Sequence, residues 1–155
     1  MTRRGSAATS PKERAVRLLG RREFTRAEIE QRLLAEGFAR SDIDTALDEL
    51  VTLGHLSDAR YARALARQKA GRYSSRNIVK ELRAKGVDAQ TIEAAMAEAE
   101  IDDAAALASL WTRRFGHAPG DEREKARQVR FLQARGFALS AILKLLRDAT
   151  RGAQS

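Results

Sequence analysis

Apolar residues recur along this chain at helical spacing, and the pattern itself recurs. Three phrases carry it: Leu33-Leu34-Ala35-Glu36-Gly37-Phe38, Leu82-Arg83-Ala84-Lys85-Gly86-Val87 and Leu132-Gln133-Ala134-Arg135-Gly136-Phe137. Each has Leu four residues before its glycine and Ile six residues after it (Ile43, Ile92, Ile142). A bulky apolar residue (Leu47, Met96, Leu146) stands ten after it. A helix that closes on glycine, turns and is followed by a second apolar-periodic helix gives this pattern. A period of about 50 residues in such a signal is that of a helical repeat array.

Caps and breakers set the expected elements. Thr25-Arg26-Ala27-Glu28 reads as a capping box, in which the hydroxyl and the carboxylate each satisfy the other residue's backbone N–H. It predicts a helix running to Glu36, closed by Gly37. Ser41 or Asp42 is the expected cap of the next helix, which ends near Gly54. The second module starts at Ser57-Asp58 and reaches about Lys69. A Gly71-Arg72-Tyr73-Ser74-Ser75 loop follows, Ser74 or Ser75 caps the next helix, and Asp88 caps the one after Gly86. The third begins at Asp102-Asp103 and breaks at His117-Ala118-Pro119-Gly120, with helices near 121–135 and 139–148. The expectation is an all-α chain with a disordered tail over 1–11 and three-helix repeats over 12–56, 57–100 and 101–150. Stacked as a tandem array, these should be elongated and curved.

Composition agrees and narrows the chemistry. A content of 43% hydrophobic with only 5% aromatic residues gives a core of Leu, Ile, Val and Ala, which suits helices. With no cysteine, disulfides, thiolate metal sites and cysteine nucleophiles are excluded. No apolar run reaches the roughly 20 residues that span a bilayer. His55 and His117 lack a second histidine at helical spacing, and neither a phosphate loop nor a nucleophile elbow is present. Asp42, Asp44, Asp48 and Glu49 read as a helix N-terminus and solvated face, and Trp111, at helical spacing from Leu107, as core. No catalytic site, metal site or cofactor is expected.

Charge points elsewhere. The net charge is +8, and its distribution is banded. Residues 60–86 hold nine Lys and Arg against Glu81 alone, whereas residues 88–103 hold six carboxylates and no base. On a helix, spacings of three, four and seven return to one face, so Arg60, Arg63 and Arg67 form one stripe and Arg76, Lys80 and Arg83 another, opposite Ile78 and Leu82. Counted from each glycine, Lys80 and Arg130 share a position that is Gln31 in the first module, and Lys85 and Arg135 one that is Glu36. Arg72 and Tyr73 lie in the basic loop, where the ring can stack on a base or pack on the loop, and Arg127 adds to the third module. Guanidinium rows bind phosphate or carboxylate, and the residues alone do not separate the two.

These phrases, in this order, resemble the RecX family. The densest likeness is Gly54-His55-Leu56-Ser57-Asp58-Ala59-Arg60-Tyr61-Ala62 followed by Ile78 to Val87. Arg113-Arg114-Phe115-Gly116 and Arg130 to Phe137 fit the family's third module. The resemblance implies a cytoplasmic, non-enzymatic regulator without cofactor, and a monomer is expected. It would bind RecA recombinase filaments on single-stranded DNA and restrain extension, ATP hydrolysis and strand exchange. Single-stranded DNA itself is a further expected contact. The contact residues would be Arg60, Arg63, Arg67, Arg72, Tyr73, Arg76, Lys80, Arg83, Lys85, Arg127, Arg130 and Arg135. Two other readings of the residues are a helix-turn-helix-like DNA-binding regulator and an adaptor for another acidic protein.

Overall fold

The computed structural model describes residues 9–154, and among them nine α-helices and no strand. The helices are α1 (Pro11–Leu19), α2 (Arg26–Ala35), α3 (Arg40–Thr52), α4 (Asp58–Lys69), α5 (Ser75–Ala84), α6 (Ala89–Ala99), α7 (Asp103–Arg114), α8 (Glu122–Ala134) and α9 (Leu139–Ala153). Most of the expected tail over 1–11 lies outside the described residues. Within them, Ser10 caps α1 by accepting the N–H of Glu13, and Pro11 opens the helix, where its missing donor costs nothing.

Local chemistry explains the other boundaries. The Thr25–Glu28 capping box is formed in both directions. Ser74 accepts the N–H of Asn77 at 3.0 Å and Asp88 that of Thr91 at 2.8 Å, as caps for α5 and α6. The expected cap at Ser41 or Asp42 is corrected. Here α3 begins earlier, with Ala39 at the cap position and no side-chain bond, so both residues fall in the first turn. Apolar packing of Ile43 at 1% exposure, rather than capping, fixes this start. The last helix runs to Ala153, five residues past expectation.

By Cα packing the chain forms two units. Among the described residues, one comprises 9–62 with Leu82–Ile92, and the other Arg63–Glu81 with 93–154. The first has a core of Leu18, Ile29, Leu33, Ile43, Leu47 and Leu50, none more than 1% exposed. In the second, Leu107, Leu110, Leu132, Ile142 and Leu146 pack together, with half-buried Trp111 against them. The indole N–H of Trp111 donates to Gln128 Oε1 at 2.9 Å, and Gln128 donates to the carbonyl of His117, so the fully buried amide is satisfied at both ends.

Each unit contains the same joint between successive three-helix modules. In the first, Thr25 Oγ1 donates to the carbonyl of Lys85 at 2.6 Å, and the N–H of Arg26 donates to Asp58 Oδ1 at 2.8 Å. In the second, the N–H of Ser74 donates to the carbonyl of Arg135 at 3.0 Å, and the N–H of Ser75 to Asp103 Oδ1 at 2.7 Å. Thr25 and Ser74 both stand twelve residues before their module's glycine. A helix N-terminus, with its unpaired N–H groups, is thus met by the next module's glycine turn and by an aspartate of that module's first helix.

Candidate partner-binding surface

The two units differ in how they treat charge. Residues 9–62 and 82–92 carry eleven Lys and Arg against eleven Asp and Glu. Residues 63–81 and 93–154 carry sixteen against ten. Ion pairing follows the same division.

In the first unit, six of the eleven Lys and Arg side chains meet a carboxylate among the described residues. Arg26 bonds Glu30 at 3.0 Å and Asp48 at 2.7 Å and lies 3.9 Å from Asp44, and Lys12 bonds Glu49 at 2.7 Å. The carboxylates read from sequence as a solvated face therefore include three that hold cations. Arg14 is paired with Glu36 at 2.8 Å. Arg60 itself grips Glu23 through two nitrogens, at 2.7 and 3.2 Å, and donates to the carbonyls of Gly54 and His55. Lys85 stands 3.5 Å from Glu28, whose carboxyl is held below its usual range by the N–H of Thr25 and by Arg22 despite the opposing effect of burial. Arg83 is exposed with no ion-pair partner among the described residues.

In the second unit only two Lys or Arg side chains meet a carboxylate among the described residues. Lys69 pairs with Glu81, and Arg63 lies 3.9 Å from the exposed Glu98. Arg67, Arg72, Arg76, Lys80, Arg127 and Arg130 are exposed, with no carboxylate within 4.0 Å. The α5 backbone sets this arrangement, because Ile78 and Leu82 at 0% exposure are turned into the protein and the intervening bases are turned out.

Tyr73 is half-buried. Its ring centre lies 4.6 Å from Lys69 Nζ and 4.6 Å from the Arg135 guanidinium. Arg135 also lies 5.1 Å from the Phe131 ring. Tyr73 and Arg135 therefore form a cation–aromatic contact at the second joint, of a type that contributes about 0.5–1 kcal/mol at an exposed site. The Gly71 carbonyl accepts from Arg113 at 2.7 Å, which secures the loop that carries Arg72.

Sequence reasoning did not find the His117–Glu124 pair. The Nε2 of His117 is 2.7 Å from Glu124 Oε1 and its Nδ1 is 2.7 Å from the Phe115 carbonyl. The carboxylate, then the carbonyl, raise the imidazole pKa, while the Gly120 N–H and His117 lower that of Glu124. A histidine seven residues before a helical glutamate was the available signal. No group of His, Asp and Glu among the described residues is placed to hold a metal ion, and none of their helices is long and apolar enough to cross a membrane.

Successive three-helix modules joined end to turn, with exposed cations that no carboxylate neutralises, define a helical repeat protein with a basic surface. Family models for the first, second and third three-helix domains of RecX match residues 12–50, 57–96 and 100–146. The chain belongs to the RecX family. It is 42% identical over 137 residues to the Regulatory protein RecX of Chromobacterium violaceum, covering 88% of this chain and 89% of that one. With that of Pseudomonas entomophila it shares 40% over 134 residues, covering 85% and 86%. A crystal structure of RecX from Lactobacillus salivarius has the same fold, with a TM-score of 0.66 at 20% identity over 90% of this chain and 94% of that one.

Proposed function

We propose that this chain regulates a RecA recombinase by binding its filaments on single-stranded DNA, and so restrains filament extension, ATP hydrolysis and strand exchange. It acts in the cytoplasm as a monomer, without cofactor or catalysis of its own. Membership of a family of regulatory proteins supports the reading, and one structural observation carries it. Seven of the twelve contact residues, Arg67, Arg72, Arg76, Lys80, Arg83, Arg127 and Arg130, are solvent-exposed and have no carboxylate partner among the described residues.

Such side chains give little to the fold and are available to phosphates or acidic side chains of a filament. Weak contacts from linked modules add, because each bound module raises the effective concentration of the next. A ligand that bridges successive protomers opposes the relative movement on which growth and nucleotide turnover depend. The remaining residues keep a supporting part: Arg60, Arg63, Lys85, Tyr73 and Arg135 hold the modules that carry the free ones.

The test is the ATPase of recombinase filaments on single-stranded DNA, with this protein added over a range of salt concentrations. Inhibition should weaken steeply with salt and vanish in the variant Arg76→Glu/Lys80→Glu/Arg83→Glu. Full inhibition by a folded triple variant would refute the reading.

A further inference from the structure

A groove of about 490 Å3 lies between the start of α8 and the second half of α9, and neither the basic stripes nor the joints account for it. Pro119, Leu143 and Leu146 give it an apolar floor, and Lys125, Arg147 and Arg151 stand around it. None of these three cations has a carboxylate within 4.0 Å among the described residues.

The repeat register shows what such a place holds elsewhere in the chain. Lys125 is eleven residues before Gly136, as Arg26 is before Gly37. Leu143 and Arg147 are seven and eleven after Gly136, as Asp44 and Asp48 are after Gly37. In the first module the guanidinium of Arg26 is neutralised by Asp44 and Asp48, and its N–H is taken by Asp58. The hollow there is lined jointly by Arg26, Val51, Leu56 and Asp58, so the start of the next helix forms one wall of it through an apolar residue and, two residues on, the aspartate that takes the Arg26 N–H. Ile101 and Asp103 repeat that spacing, and Asp103 takes both the N–H and the hydroxyl of Ser75.

In the third module both aspartates are gone: Leu143 replaces one and Arg147 the other, and the carboxylates that line the groove, Asp121 and Glu122, pair with none of its three cations within 4.0 Å. Its α8 end differs as well: the N–H of Lys125 goes to the carbonyl of Asp121 at 3.0 Å, and that of Glu124 to the Asp121 carboxylate at 2.7 Å. An acid seated here is therefore held by side chains, not by main-chain N–H groups. Asp121 and Glu122 line the α8 edge, and Arg147 and Arg151 the α9 edge.

We propose that this groove binds the start of an acidic helix of a partner protein, with an apolar residue on Leu143 and Leu146 and an aspartate or glutamate two residues later on Arg147, Arg151 and Lys125. The inference is independent of the filament reading, since none of its residues belongs to the stripes.

The probe is a fluorescein-labelled peptide with the sequence of residues 100–110, Glu-Ile-Asp-Asp-Ala-Ala-Ala-Leu-Ala-Ser-Leu, titrated with the full chain and followed by anisotropy. Saturable binding is expected. It should weaken by about tenfold or more when Arg147→Glu/Arg151→Glu is used or when the peptide's two aspartates are asparagines, and should be unchanged with Arg76→Glu/Lys80→Glu. Circular dichroism establishes that each variant is folded. No saturable binding, or equal binding of the asparagine peptide, would overturn the proposal. So would self-association of the wild type that Arg147→Glu/Arg151→Glu abolishes, because the occupant would then be a second copy.

Discussion

Gly86 lies against Ala27 so closely that a Cβ at position 86 would stand 2.4 Å from the Ala27 Cβ. Its φ of +81° already disfavours any residue with a side chain. The tight contact lets the first module's α2 sit directly on the turn of the second, where Thr25 reaches the Lys85 carbonyl. Gly37 offers the comparison: its φ is +94°, but nothing lies within 4 Å of the same added atom. Gly37→Ala should therefore cost about 1–2 kcal/mol from backbone strain alone. Gly86→Ala adds overpacking of about 1–3 kcal/mol. Urea unfolding of the two variants tests this, and equal losses would mean that the joint yields without cost.

Asp58 provides the second prediction. Burial raises its carboxyl pKa, and the nearby charges of Asp88 and Glu30 add to the rise, while the N–H of Arg26 opposes it. The folded chain thus holds this proton more tightly than the unfolded one. Ionising Asp58 then costs stability, and the cost develops as pH rises from the ordinary carboxyl value through the raised one. Asp58→Asn keeps an oxygen acceptor for Arg26 and avoids that cost, so its stability relative to wild type should improve between pH 3 and pH 7. Asp58→Ala leaves the N–H of Arg26 without its partner and should lose about 1–2 kcal/mol at either pH. Thermal melts across this range decide the matter.

How much of this was legible in the sequence depends on range. Glycine closures, the Thr25–Glu28 box and the buried Leu and Ile positions are local signals, and each appears where its spacing placed it. The joints were not legible, because Thr25 and Lys85 are sixty residues apart and the acceptor is a main-chain carbonyl, which every residue has. For the same reason Arg60 and Arg67 looked alike on a helical projection. Only the fold shows that Glu23 and two carbonyls surround the former while the latter faces solvent. The cap at Ala39 was missed because burial of Ile43 outweighs the capping preference of Ser41 and Asp42.

His117 and Glu124 should stabilise the loop before α8 only within a pH window. Both imidazole nitrogens face acceptors, so the doubly protonated ring fits the site. Its pKa is raised, chiefly by the Glu124 carboxylate, so its contribution is complete below the ordinary value of 6.5 and lost as pH rises through the folded value. Glu124 is lowered, chiefly by the Gly120 N–H, so its contribution is present above its ordinary 4.5 and lost as pH falls through the folded value. The clamp is complete between the two. An NMR titration should show His117 titrating above 6.5 in the wild type and moving down in Glu124→Gln. An unmoved pKa would show that the carboxylate does not hold the ring.

The contrast between paired and unpaired arginines separates binding from folding in one pair of variants. Arg60 bonds Glu23 and the carbonyls of Gly54 and His55, so Arg60→Ala should lower the melting temperature and leave the inhibition of filament ATPase, measured well below that temperature, near wild type. Arg76 and Lys80 bond no carboxylate, so Arg76→Ala/Lys80→Ala should change stability by no more than about 0.5 kcal/mol, as is usual for surface sites. The same change should weaken inhibition and flatten its dependence on salt, because each lost contact to a phosphate reduces the slope by about one unit. Contacts to protein carboxylates would lower affinity with a smaller change of slope, since fewer condensed counter-ions are released. Titrating inhibition at several salt concentrations with wild type and double variant therefore reports both which residues bind and what they bind. A double variant that melts early yet inhibits fully would reverse the assignment of these two side chains.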